Sequence, residues 1–222
     1  SNRGVTLVEL MIAVAISGLV ISAIYLTTRV QNRAASTQDD VSIIQQNLRA
    51  AMLVLSTDIR MAGYDPTNSG TPTIVDATKN SIHLTIDYNA NGTIENESGN
   101  PFKEDISYSL DTSTQQFKRE IDSIGYVADH IEYLEFYYEM EDDSFALPTV
   151  SLPNPEDIRS IHISILARSR IEDPDYTNNI VYQTAGGANP VNGTVGDTTS
   201  TYADGYRRRM LTTTVKCRNM GL

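Results

Sequence analysis

Hydrophobic positions follow three rhythms along this chain. From Val5 to Leu26 they are nearly continuous: VTLVELMIAVAISGLVISAIYL is 22 residues with one charge, Glu9. At about 1.5 Å per residue, a helix of that length spans roughly 33 Å, enough for a bilayer core. No proline interrupts the run; Arg3 precedes it, and Arg29 and Arg33 follow. A core helix of a soluble domain would keep a polar stripe. A cleaved secretory signal would have a shorter apolar stretch and a small-residue cleavage site. The second rhythm runs from Thr27 to Gly63, where Val41, Ile44, Leu48, Met52, Leu55, Ile59 and Ala62 recur every three or four residues. That spacing predicts one helical face, and Gly63 and Pro66 are its stop signals. The two rhythms predict one long helix, apolar all round over 5–26 and one-sided over 27–63. The second half packs on a folded domain.

The third rhythm has period two, the mark of half-buried strands. It covers Ile82, Leu84 and Ile86, then Ile106, Tyr108 and Leu110 with a short strand near Phe117, then Leu134, Phe136, Tyr138 and Met140. It returns at Ile161, Ile163, Ile165 and Ala167, and at Leu211, Thr213, Val215 and Cys217. Between strands lie two long polar segments, Leu147–Asp157 and Asp173–Tyr206, the latter with a short strand expected at Ile180-Val181-Tyr182. Loops of that length are usually functional or disordered. A helix followed by an antiparallel sheet gives an α+β class, with residues 64–222 as a β-rich globular domain with long loops.

Composition narrows the function. A net charge of −11 argues against a general nucleic-acid binder. One cysteine excludes an intrachain disulfide framework and a Cys-rich metal site. Cys217 reads as a buried thiol, with an intermolecular disulfide as the alternative. No Walker A loop, Rossmann fingerprint, nucleophile elbow or zinc-protease motif occurs, so the chain is read as not an enzyme. The basic run Arg207-Arg208-Arg209 is either a strand edge balancing the acidity or a DNA contact. The acidic residues Glu139, Glu141, Asp142 and Asp143 form a solvated loop or face a basic partner.

Asp87-Tyr88-Asn89-Ala90-Asn91-Gly92-Thr93-Ile94-Glu95 follows D-x-N-x-N-G-x-x-E. Oxygens at alternate positions around a glycine turn suit calcium, a hard cation that takes six to eight of them. Asp87, Asn89 and Asn91 would give side-chain oxygens, Thr93 its carbonyl, and Glu95 a carboxylate or a bound water. The twelfth position is Ser98 rather than a bidentate glutamate, so further ligands would come from Glu97 or elsewhere. An Asn91-Gly92 β-turn accounts for the same residues without an ion.

Glu9 is the costly residue of the apolar run, because a carboxylate inside a membrane-length helix requires a partner. No Lys or Arg within the run can serve, so the partner is another chain or a chain terminus. Gly4-Val5-Thr6-Leu7-Val8-Glu9-Leu10 resembles the processing site of type IV prepilins and type II secretion pseudopilins. Val5 departs from the family's usual Phe. The resemblance implies that a prepilin peptidase cuts between Gly4 and Val5 and methylates the new N-terminus. Residues 1–4 are then a leader remnant, and Glu9 pairs with the N-terminal amine of a neighbouring subunit. It also implies a pilin-like fold, with a long N-terminal helix lying across an antiparallel sheet.

Gln45-Gln46-Asn47-Leu48-Arg49-Ala50-Ala51 and Asp58-Ile59-Arg60-Met61-Ala62-Gly63-Tyr64 resemble the helix end of PilW-like minor pilins, and the C-terminal Arg207–Val215 stretch resembles the end of PilW-like and J-type pseudopilin sequences. In themselves, Asp58 and Arg60 read as solvated charges, and Gly63 as a terminator at positive φ. The resemblance implies a minor pilin of a type IV pilus, priming assembly and placed near the tip, in support of motility, adhesion or DNA uptake. Its partners would be other pilins and the prepilin peptidase, with nucleic acid not expected. The helix would sit in a bacterial inner membrane before assembly, and the domain would be periplasmic or extracellular. A minor pseudopilin of type II secretion is the alternative within the family. A tip adhesin or DNA receptor acting through the long loops is the alternative from another class.

Overall fold

The computed structural model describes residues 4, 6–70, 73–95, 104–121 and 124–220. Helix α1 runs unbroken over Leu7–Met61. The chain divides into two compact units, Ser1–Ser42 and Ile43–Leu222.

In the first unit every residue from Leu7 to Ser36 is exposed. The helix contains an 18-residue window of mean hydropathy 2.4, long and apolar enough to cross a membrane. Four of its hydroxyls turn back on their own backbone. Ser17, Ser22, Thr27 and Thr28 each donate to the carbonyl four residues earlier at 2.8–2.9 Å. In hydrocarbon this satisfies groups that would otherwise lack a partner.

In the second unit Ile44, Leu48, Met52, Leu55 and Ile59 of α1 are buried as their spacing predicts, and Ala51 joins them. They share one core cluster with residues of two antiparallel sheets. The first sheet is a meander of β1 (Ile74–Ala77), β2 (Ser81–Thr85), β3 (Asp105–Asp111), β4 (Gln116–Glu120) and β5 (Ile124–Ala128), neighbours in that order. The second holds β6 (Ile131–Met140), β7 (Phe145–Ala146), β8 (Ile158–Arg168) and β11 (Arg208–Lys216) in the order β11-β8-β6-β7. Its period-two positions behave as expected: Leu134, Phe136, Tyr138, Ile161, Ile163, Ile165 and Val215 are buried. Cys217, just past β11, is buried with them.

The helix ends where Gly63 takes φ +74° and its N–H donates to the Thr85 carbonyl. A Cβ there would stand 2.6 Å from the sulfur of the flexible Met220 side chain, which could shift, so it is the positive φ that favours glycine. No strand forms at Ile180–Tyr182. This stretch runs without ladder partners, and the small pairing in the long segment is β9 (Ala188–Asn189) with β10 (Thr194–Val195).

That segment is held on the outer face of the second sheet. The Gly186 N–H donates to Glu135 Oε1 at 3.2 Å, and the Ala185 N–H to Ser164 Oγ at 2.9 Å. Glu135 and Ser164, which alternate with core residues, are buried for this reason.

Candidate functional site

Three groups of side chains stand out. At the N-terminus, Glu9 accepts from the Thr6 N–H at 2.8 Å and the Thr6 hydroxyl at 2.9 Å, while Thr6 Oγ1 accepts from the Glu9 N–H at 3.3 Å. Thr6-Leu7-Val8-Glu9 is therefore a reciprocal capping box that starts α1. Among the described residues no cationic side chain reaches Glu9. Gly4 is exposed. Val5, on the other side of the expected cleavage point, lies outside the described residues.

The Asp87–Glu95 loop brings its sequence-predicted residues together. Asp87 is fully buried, and its carboxylate accepts from the N–H groups of Asn91 (3.2 Å) and Gly92 (2.9 Å). Asn89 Oδ1 accepts from Asn91 N–H, and Asn91 Oδ1 from Thr93 N–H. The two side-chain amides donate to Glu95. Gly92, at φ +79°, allows the reversal. Sequence reasoning missed Glu104, which is also fully buried and accepts from the backbone N–H groups of Tyr88, Asn89 and Glu95. Among the described residues, no group of three or more His, Cys, Asp and Glu converges as a metal site. Glu97 and Ser98 lie outside them.

The charged residues of the second unit need one correction to the sequence reading, at Asp58. Asp58 is buried rather than solvated. Its Oδ2 accepts from Arg119 Nη2 at 2.6 Å and from the Tyr108 hydroxyl at 2.5 Å. Burial pushes the Tyr108 phenol far above its ordinary range, so it acts as a donor here. Arg60, as read, is exposed.

The run Arg207–Arg209 is not an open basic patch. Arg208 is buried, held by both oxygens of Glu132 and both of Asp204. Its guanidinium lies 3.6 Å from the centre of the Tyr202 ring. Arg207 pairs with Asp173 and stacks on Tyr176. Of the three, only Arg209 is exposed. The aromatic run Tyr133–Tyr138 is strand β6, and its Phe136 and Tyr138 are core. Cys217 is buried, and burial pushes its thiol up to about 12. The thiolate, the reactive form, is thereby suppressed.

Residues 1–25 match the family model of the prokaryotic N-terminal methylation motif. The fold matches a type IV-like pilin from Thermus thermophilus, with a TM-score of 0.52 at 12% identity. That match covers 80% of this chain and 97% of the other. Comparison with curated protein sequences gives no match. The chain thus carries a prokaryotic N-terminal methylation motif on an exposed apolar helix together with a pilin-like helix-on-sheet fold.

Proposed function

We propose that this chain is a minor pilin-like subunit of a type IV pilus, close to the PilW-like group, that helps to prime filament assembly near the tip. A prepilin peptidase cuts between Gly4 and Val5 and methylates Val5. The apolar helix holds the subunit in the inner membrane, then packs in the filament core, and Glu9 pairs with a neighbour's N-terminal amine. One observation carries this reading: an apolar helix half, exposed along its whole length, bears one carboxylate whose own-chain contacts come from Thr6. The domain sits outside the cytoplasm as a structural part rather than an enzyme.

Mass spectrometry of the mature N-terminus tests this reading. A chain beginning at methylated Val5 is expected. A chain that keeps its leader, or begins elsewhere, overturns it. Co-purification with a pilus rather than a secretion complex separates the pilus assignment from a type II pseudopilin. The long segment is tied to the sheet through Glu135, Ser164 and two of the three arginines, and binding of a surface, glycan or DNA would favour the adhesin or DNA-receptor alternative.

A second proposal concerns calcium at the Asp87–Glu95 loop. Two fully buried carboxylates, Asp87 and Glu104, face only N–H donors among the described residues. Buried charges normally pair or bind a metal. The oxygens of Asp87 and Asn89 that accept one amide each keep a further lone pair for an ion, whereas Asn91 Oδ1 accepts both the N–H and the hydroxyl of Thr93. Calcium is expected to raise the melting temperature, and Asp87→Ala to abolish the rise. Identical melting in calcium and in chelator sinks this proposal.

A further inference from the structure

Strand β11 is the outer strand of the second sheet, with β8 on one side. The ladder shows which of its backbone groups face the other way. The Cys217 N–H donates to the Arg159 carbonyl, and the Arg207 carbonyl accepts from the Ser169 N–H. Antiparallel partners alternate between bonded and unbonded pairs, so the odd-numbered residues of β11 bond to β8. The even-numbered ones, Met210, Thr212, Thr214 and Lys216, turn N–H and C=O outward. Arg208 obeys the same parity, and its carbonyl accepts from the Tyr182 hydroxyl of the long segment at 3.4 Å. Past Arg208, among the described residues, none of the outward N–H and C=O groups has a hydrogen-bond partner.

The opposite edge of the same sheet is closed. There the turn between β1 and β2 caps β6: the Lys79 carbonyl accepts from the Phe136 N–H at 2.7 Å, and Asn80 Nδ2 donates to the Leu134 carbonyl at 2.7 Å. Farther along, β7 pairs with Tyr138 and Glu139. At the open edge, exposed Arg209 and Lys216 stand at the two ends of the unpaired stretch. From Gly205 to the C-terminus the chain carries five basic residues and no acidic one. Cations on an edge strand deter pairing with a like strand, and like charges set opposite each other are unfavourable. The β11 of a second copy is therefore a poor match. Its β5 holds no acidic residue, and its β7 is two residues long.

We infer that the open edge of β11 receives an extended acidic strand from a different subunit of the assembly, which adds to the second sheet beside Met210–Lys216. Backbone hydrogen bonds give an added strand its affinity. The charges at Arg209 and Lys216 select an acidic strand and reject a basic one. This inference rests on the assembly reading and names the surface and the chemistry of the partner.

Proline tests it, because proline removes an N–H yet is tolerated on an edge strand where that N–H faces out. Thr212→Pro and Thr214→Pro should each melt near the wild-type temperature, yet lower recovery of the full-length chain in the sheared-filament fraction about tenfold. Thr212→Val and Thr214→Val keep the N–H and should recover as wild type. Arg209→Glu with Lys216→Glu should lower recovery, and Arg209→Gln with Lys216→Gln should lower it less. Should the proline variants melt early, amide exchange of the wild-type chain decides: the Thr212 and Thr214 amides exchange fast in the detergent-solubilised chain and are protected in the assembled one. Full recovery of folded proline variants, loss in the valine variants, or unprotected amides in the assembled chain overturns the added strand. Co-purification of two differently tagged copies that is lost in Thr214→Pro makes the occupant a second copy and overturns the acidic partner. A methylated Val5 alongside full recovery of the proline variants removes only this contact. An uncut wild-type chain overturns the assembly reading and this contact with it.

Discussion

Arg119, on β4, donates two hydrogen bonds to one oxygen of Asp58 on α1, from Nε at 2.9 Å and from Nη2 at 2.6 Å. The Tyr108 hydroxyl binds that oxygen too. Helix and sheet are thus joined by an ionic contact, its Asp58 buried and its Arg119 partly so, as well as by apolar packing. Removing one partner of such a pair leaves the other's charge uncompensated. Asp58→Asn should therefore destabilise the domain by about 3 kcal/mol. Arg60→Ala, two residues on and exposed, should stay within about 0.5 kcal/mol. Thermal melts of the detergent-solubilised chain compare the two, and equal melting temperatures would contradict the buried-pair account.

Glu9→Ala and Glu9→Gln should both leave the chain in the membrane and remove it from filaments. The glutamine keeps side-chain acceptor capacity for the Thr6 cap but lacks the charge needed to meet an amine. Immunoblots of membrane and sheared-filament fractions give the readout. Normal recovery of Glu9→Gln in filaments would reduce Glu9 to a helix cap.

Arg208 anchors the long segment, so Arg208→Ala should expose residues 173–206 to protease while the sheets stay folded. Arg208→Lys should rescue little, because an ammonium cannot bind two carboxylates bidentately. Acid should act in the same direction. The hydrogen bonds from Arg208 hold the Asp204 carboxyl below the usual carboxylate range. Its contribution is complete above the ordinary aspartate value of about 3.9 and is lost as the pH falls below it. Hydrogen exchange should show the segment opening below about pH 4 before the strands do; simultaneous opening would argue against the clamp.

Cys217 should resist alkylation in the folded chain at about pH 8 and react on unfolding. Its thiol is raised to about 12 in the fold. The associated stability is therefore complete below the ordinary thiol value of about 8.5 and is lost as the pH rises through the folded one. Intact-mass analysis after iodoacetamide treatment measures this. A disulfide-linked dimer recovered under native conditions would revive the intermolecular pairing.

The long helix, its buried stripe from Ile44 to Ala62 and the main strands are legible in the sequence because each follows one clear period. Strands β1 and β5 are not, since Ile74–Ala77 and Ile124–Ala128 are too short to show alternation. Asp58 misleads for a different reason. A charge at the edge of an apolar stripe looks solvated until a cation arrives from Arg119, 61 residues away in sequence. Glu104 and Arg208 escape notice as structural centres because their partners come from the Asp87–Glu95 loop, from Glu132 and from Asp204. Glu132 stands 76 residues from Arg208 and leaves no local spacing to read, although Asp204 is only four residues away. The Glu9 signal is local and strong, a single charge in an otherwise uncharged run.

The back-bonded hydroxyls of Ser17, Ser22, Thr27 and Thr28 have a mechanical consequence. In a bundle of such helices the protons of those groups are already committed to their own backbones, so they offer neighbours acceptors but no donors. Helices can slide along one another over smooth aliphatic surface without breaking a polar bond along that stretch. On the proposed assembly, axial position would fall to Glu9, and such a filament would stretch under load and recover its spacing from that charged anchor.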